Sequence, residues 1–306
     1  MNVLDRAALA SLPLLPRPLM RLLSKRYVAG ERLEDALERL ALLRAQGFPG
    51  ILDLLGEEIA SEAQARAVAA SYGEAAQALR RARIDAYVSV KPTHIGLRIS
   101  EDLAFELYAK LARRCTELDS FVRVEMEDHT TTDSTLRVFE RLRRVADNVG
   151  IVLQSRLLRT PRDVEALAVG PLSVRMVKGI YLEPPEIAHV EPEAIRRAFV
   201  ECAQRLFQRG ARVAFATHDD LLAERLVALV RTGTIALERY EFQVLLGVRD
   251  WLWHTWRDAG HPVRVYVPYG PDWRAYCTRR LRKNPQLFRQ VLRDVLLGSR
   301  RRPRTT

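Results

Sequence analysis

Gly50-Ile51-Leu52-Asp53-Leu54-Leu55 is the first of eight short β-rich runs, each followed by a stretch of helical periodicity. The others are 84–91 (IDAYVSVK), 121–126 (FVRVEM), 149–154 (VGIVLQ), 174–178 (VRMVK), 212–218 (RVAFATH), 240–245 (YEFQVL) and 263–268 (VRVYVP). Their spacing is that of a βα unit. Helices are expected near 57–80, 101–117, 133–146, 191–209 and 219–232. Asp133-Ser134-Thr135 reads as the N-cap signal of one helix and Thr160-Pro161 as that of a shorter one. Eight alternating strands and helices predict an α/β fold, a (β/α)8 TIM-type barrel rather than an open doubly wound sheet. Residues 1–45 read as an N-terminal helical arm, 46–298 as the barrel with its final helix, and 299–306 as a basic tail, Arg300-Arg301-Arg302-Pro303-Arg304.

Composition narrows the class. The chain has 306 residues, 48% of them hydrophobic, and a formal charge of +11. The arginines are scattered along helical stretches near Glu and Asp, the pattern of solvated faces rather than a nucleic-acid surface. Cys115, Cys202 and Cys277 follow no disulfide or metal spacing, which suits a reducing, cytoplasmic setting. The apolar patch at 12–19 is broken by three prolines and an arginine, and no run reaches the length of a membrane span. Membrane contact is therefore expected to be peripheral at most.

In a barrel of this type the C-terminal strand ends build the active site. Those ends carry Lys91, Glu125, Gln154, Arg175 with Lys178, Thr217-His218, Gln243 and Tyr266. A polar side chain closing an apolar run is costly unless it is paired or used, and here seven strands of eight carry one. The set holds three cations, one carboxylate and no nucleophile paired with a histidine. His94, His129, His218, His254 and His261 never fall at metal-binding spacing, and His129 beside Glu127 and Asp128 reads as a solvated loop. Such a mouth binds an anionic ligand or cofactor and leaves the bond-making to a cofactor. Beyond the eighth strand, Tyr276, Arg279 and Arg280 share one helix face, and adjacent guanidiniums there call for a carboxylate or phosphate. Arg175 has no acid close to it in sequence.

These segments, taken in order, resemble the proline dehydrogenase family over about 45–297, specifically its short bacterial monofunctional members. The resemblance lies in Tyr276-x-x-Arg279-Arg280, in 174–181 (VRMVKGIY), 214–219 (AFATHD), 241–247 (EFQVLLG) and 266–270 (YVPYG). It implies oxidation of L-proline to Δ1-pyrroline-5-carboxylate, the first step from proline to glutamate, by hydride transfer from proline C5 to N5 of FAD. Electrons would pass on to a membrane quinone, with the basic tail favouring an anionic membrane surface. Nothing in the sequence itself names that acceptor or an oligomeric state.

Carried over by position, Arg279, Arg280 and Lys91 would hold the substrate carboxylate. Tyr276, Tyr266, Tyr181 and Leu245 would wall the ring. Glu125 and Arg175 would be catalytic, Arg175 beside flavin N5. Gln154, Val177, Lys178, Gly179, Ile180, Thr217 and His218 would line the FAD, and Met126 would touch it. The absence of a GxGxxG fingerprint agrees with a flavin held in a barrel. Two positions depart from the family pattern: Glu125 stands where an aspartate is usual, and Lys283 where a glutamate is usual. The alternative they leave is a flavin-binding barrel that has lost or changed proline dehydrogenase activity.

Overall fold

Alternation of side chains between the two faces of each strand organises the molecule. In the computed structural model, eight parallel strands close on themselves in sequence order, β1 pairing with both β2 and β8. They are β1 Gly50–Leu54, β2 Ala86–Val90, β3 Val122–Val124, β4 Val149–Gln154, β5 Ser173–Val177, β6 Arg212–Ala216, β7 Tyr240–Leu245 and β8 Val263–Tyr269. The helices are α1 Leu33–Ala45, α2 Glu62–Arg81, α3 Glu101–Glu117, α4 His129–Leu142, α5 Thr160–Ala166, α6 Pro192–Gln208, α7 Asp220–Thr232, α8 Asp250–Asp258 and α9 Trp273–Lys283. The structure describes residues 20–21, 24–56 and 59–283, the side chains of 279–283 excepted. Among these residues no helix is long and apolar enough to cross a membrane. The (β/α)8 barrel expected from the sequence is thus the fold.

One face of every strand meets the helices. Val88, Val90, Val122, Val124, Val174, Met176, Val213, Phe215, Phe242, Val244, Val265 and Val267 are all buried and belong to one core. Burying each such side chain contributes ~1.5–3 kcal/mol, so this layer accounts for the cohesion of strand with helix. The other face points into the barrel and is largely polar. That follows from contacts between strands that are not neighbours: Gln243 on β7 reaches Tyr87 on β2, and Tyr266 on β8 reaches Glu125 just after β3.

Two glycines make room for this packing. Gly50, at the start of β1, lies against Leu40 of α1, where an added Cβ would come within 2.1 Å of Leu40 Cδ2. Gly150 on β4 lies beneath the buried Arg123 guanidinium, 2.3 Å from where its Cβ would be. Arg123 consequently crosses β4 to donate to Ser173 O at 2.7 Å and Ser173 Oγ at 3.0 Å.

Four local expectations are corrected. Helix α4 begins at His129, capped by Asp128 Oδ1 accepting from Thr130 N at 3.0 Å, and not at Asp133-Ser134-Thr135. Residues 127–129 are therefore a helix start and not a solvated loop. Glu127 is buried and accepts from Thr93 N and Oγ1, and the His129 ring pairs with Glu183. In α5, Thr160 is the first helical residue, not the cap; its hydroxyl donates to Gln154 O. Finally, α8 is a full helix in a stretch where none was expected, with Leu252, Trp253 and Trp256 buried.

Candidate active site

The mouth is built on a carboxylate and a guanidinium from strands separated by β4. Arg175 Nη1 donates to Glu125 Oε1 at 2.5 Å, the arginine side chain 3% exposed and the glutamate 14%. The same oxygen accepts from Ser89 Oγ at 2.5 Å and Tyr266 OH at 3.1 Å. Arg175 Nε donates to Gln243 Oε1 at 2.5 Å, and its guanidinium carbon lies 5.3 Å from the centre of the Tyr266 ring. The acid that the sequence near Arg175 lacks is thus supplied from 50 residues away.

Electrostatics follow from the pairing. Burial alone pushes the Glu125 carboxyl up, but Arg175, the Ser89 hydroxyl and Lys91 outweigh it and hold the group below its ordinary value. Burial likewise disfavours the Arg175 cation, and Glu125 more than restores it. Burial, Asp53 and Glu125 together push the Tyr266 phenol well above its ordinary range, so it is a neutral donor.

A second pair stands beside the first. Lys91 Nζ donates to Asp53 Oδ1 at 3.2 Å and Oδ2 at 3.4 Å, and to Gly56 O at 3.4 Å. Asp53 is buried, and burial raises its pKa despite the opposing pull of Lys91, with Glu125 adding to the rise. Sequence reasoning missed Asp53 because two leucines follow it and hide the end of the strand. His94, packed edge-on to Tyr72, is driven down to about 4 by burial and by Lys91, so it is neutral.

The remaining residues surround these pairs. Gln154 is buried and donates to Glu127 O at 2.7 Å. Gly179, at φ +96, passes so close that a Cβ would lie 2.9 Å from Gln154 Oε1. Lys178 Nζ donates to Asp219 Oδ2 at 2.8 Å, and Arg196 Nε donates to the same oxygen at 2.9 Å. Burial raises the Asp219 carboxyl, but Lys178 and Arg196 lower it further. Asp219 also caps α7 and donates its N–H to Thr217 Oγ1. His218 Nε2 accepts from Leu245 N at 3.0 Å, tying β6 to β7 at the rim. Met126 is buried beside Glu125, whereas Val177, Tyr181, Leu245 and Tyr276 are half-buried and Ile180 is exposed on the β5–α6 loop. The side chains of Arg279, Arg280 and Lys283 lie outside the described residues.

Charged pairs gathered at the C-terminal strand ends of a (β/α)8 barrel are the layout of a barrel enzyme. Comparison with known proteins specifies it further. The family model for proline dehydrogenase matches residues 36–291. The chain is 35% identical to the proline dehydrogenase of Deinococcus radiodurans over 289 residues, 93% of each chain. It is 32% identical to proline dehydrogenase 1 of Bacillus subtilis subsp. natto over 276 residues, 90% of this chain and 91% of the relative. The chain belongs to the proline dehydrogenase family. Proline utilization A from Bdellovibrio bacteriovorus, at 24% identity and a TM-score of 0.80, shares the fold over 93% of this chain and 37% of that longer protein.

Proposed function

We propose that the chain oxidises L-proline to Δ1-pyrroline-5-carboxylate with FAD as its cofactor and a membrane quinone as the final acceptor. The observation that carries this reading is Arg175. Its Nε donates to Gln243 and its Nη1 to Glu125 and Ser89, so the cation is held buried on β5 with Tyr87 and Tyr266 beside it. A fixed cation held out of water favours an electron-rich ring beside it, which a flavin would present on reduction.

When bound, the flavin supplies the two-electron acceptor for the hydride leaving proline C5. The nitrogen lone pair must form the ring C=N bond as the hydride leaves and the N–H proton then passes to solvent, so the substrate reacts as the neutral amine and activity rises toward alkaline pH. The chain's own work is positioning. Lys91, Arg279 and Arg280 hold the carboxylate, and Tyr181, Leu245, Tyr266 and Tyr276 wall the ring. Glu125 and Arg175 set the charge at the reacting face. Met126, Gln154, Val177, Lys178, Gly179, Ile180, Thr217 and His218 line the cofactor. The protein should purify yellow and bleach on anaerobic addition of L-proline. A colourless protein would remove the flavin reading; a yellow one that proline does not bleach would leave a flavoprotein with changed activity.

A further inference from the structure

Gln243 and Glu241 have no part in the reading above, yet they hold the residue on which it turns. They stand two apart on β7, so both project into the barrel. Gln243 Oε1 accepts from Arg175 Nε at 2.5 Å, while its Nε2 donates to Glu241 Oε1 at 2.5 Å and to Tyr87 OH at 2.8 Å. Glu241 Oε2 in turn accepts from Arg212 Nη2 at 2.9 Å and Arg264 Nε at 3.2 Å, and Arg264 Nη1 donates to Asp85 at 2.9 Å. A line of hydrogen bonds therefore runs from the lower rim, where Asp85 and Arg212 meet water, to the guanidinium beneath the mouth. Gln243 and Glu241, in its middle, are both buried.

The chemistry of this line gives it a direction. A side-chain amide has a donor end and an acceptor end, and either can in principle face Arg175. With the ends exchanged, Nε2 would confront a guanidinium N–H and Oε1 would confront the Glu241 carboxylate. Two mismatched contacts would then lie in a low-dielectric interior, where they cost most. The Glu241 charge therefore decides which end of Gln243 meets Arg175. On its other side, Arg175 is held by Glu125 and by Ser89 Oγ, 3.2 Å from Nη1. A flexible arginine clamped from both sides meets its cofactor already in place.

We propose that Glu241 and Gln243 form a positioning relay for Arg175: Glu241 orients the Gln243 amide, and the amide fixes the guanidinium opposite Glu125. The inference rests on the reading of Arg175 as the cation beside the flavin. Its test is the midpoint potential of the bound flavin in Q243M, E241Q and R175M, and in the double variants that combine R175M with each of the others. Q243M is expected to lower the potential and to slow reduction by proline about 10-fold, with KM for proline nearly unchanged. E241Q is expected to shift the potential when Arg175 is present and to leave it unmoved in the R175M background. A direct field from the Glu241 carboxylate would act in both backgrounds, so equal shifts in the two would overturn the relay. A Q243M flavin with the wild-type potential would overturn it as well, and this uncharged variant carries the test should E241Q fail to fold. If R175M alone leaves the potential unchanged, the assignment of Arg175 fails, and the relay fails with it.

Discussion

The Arg175 guanidinium on β5 and the Glu125 carboxylate just after β3 meet inside the barrel at 2.5 Å, although those two strands are not neighbours. Each pays its desolvation only in the presence of the other, because burial alone disfavours both charged forms. Ser89 and Tyr266 satisfy further valences of the carboxylate, and Gln243 takes the far edge of the guanidinium. The pair is therefore fixed before any ligand arrives, which distinguishes a preorganised electrostatic site from a surface salt bridge.

Replacing Arg175 with Met keeps much of the side-chain length and removes the charge. Positive charge beside a flavin favours the reduced ring, so its potential should fall. The anaerobic rate of flavin reduction at saturating proline should drop at least ~10-fold, or about 1.4 kcal/mol. Stopped-flow bleaching measures that step apart from binding. A mutant that bleaches at the wild-type rate would leave Arg175 as a purely structural partner of Glu125.

Asp53 trades stability for placement of Lys91. Its folded pKa lies above the ordinary 3.8, so its ionised form costs stability at neutral pH, and neutralising it removes that cost. Asp53→Asn should accordingly unfold at an equal or higher temperature. It should also raise KM for proline by about 10-fold, because a charge-assisted bond that aims Lys91 is weakened. Thermal melts and steady-state kinetics on the same preparation decide the matter. A lowered melting temperature with unchanged KM would show that the pair serves the fold alone.

Legibility in the sequence followed a physical rule. Gln154, Arg175, Gln243 and Tyr266 stood out because each interrupts an apolar β run, and the fold brings Arg175, Gln243 and Tyr266 to one cluster. Tyr87, Arg123, Glu241 and Arg264 did not, since they lie near strand starts, where a polar residue reads as flanking loop. Their signal was the alternation itself: 122–125 (VRVE), 241–244 (EFQV) and 263–266 (VRVY) each put polar residues at i and i+2. That pattern marks a polar barrel interior, but it resembles a strand with one face in water. Partnerships such as Glu125 with Arg175, 50 residues apart, depend on closure of the sheet and leave no local trace.

The arginine pair on α9 is predicted from its sequence pattern. Arg279→Ala or Arg280→Ala should raise KM for proline by ~10-fold or more, at least about 1.4 kcal/mol, while the flavin stays bound. Flavin absorbance of each purified variant and its steady-state kinetics give the two readouts. An unchanged KM would show that the carboxylate is held elsewhere, with Lys91 the first residue to examine.

Gly150 tests the interior packing independently of catalysis. A Cβ there would lie 2.5 Å from the Ser173 carbonyl oxygen, which is backbone, and 2.3 Å from Arg123 Nη1. The arginine must then leave its carbonyl partners or the strands must part. Gly150→Ala should destabilise the fold by ~3 kcal/mol, an overpacking penalty joined to a disturbed buried cation. Urea unfolding reads this directly. KM for proline in the folded fraction should stay near wild type, since Arg123 lies below the mouth.

The pH dependence of stability follows from Glu125. Its folded pKa is depressed below the ordinary 4.5, because Arg175, Ser89 and Lys91 overcome the effect of burial. A depressed carboxyl contributes stability that is fully present above the unfolded value and is lost as pH falls through the folded one. Wild-type melting temperature should therefore decline on acidification below about pH 4.5, in part through this group. Glu125→Gln keeps an acceptor for Ser89 and Tyr266 but leaves the Arg175 cation buried without its counter-charge. The variant should be less stable at pH 7 by ~3 kcal/mol, the scale of a broken buried pair. Its disadvantage should narrow toward pH 3, where wild type also loses the charge. Melts across that range compare the two proteins directly, and parallel curves at every pH would show that Glu125 remains ionised or is irrelevant to the transition.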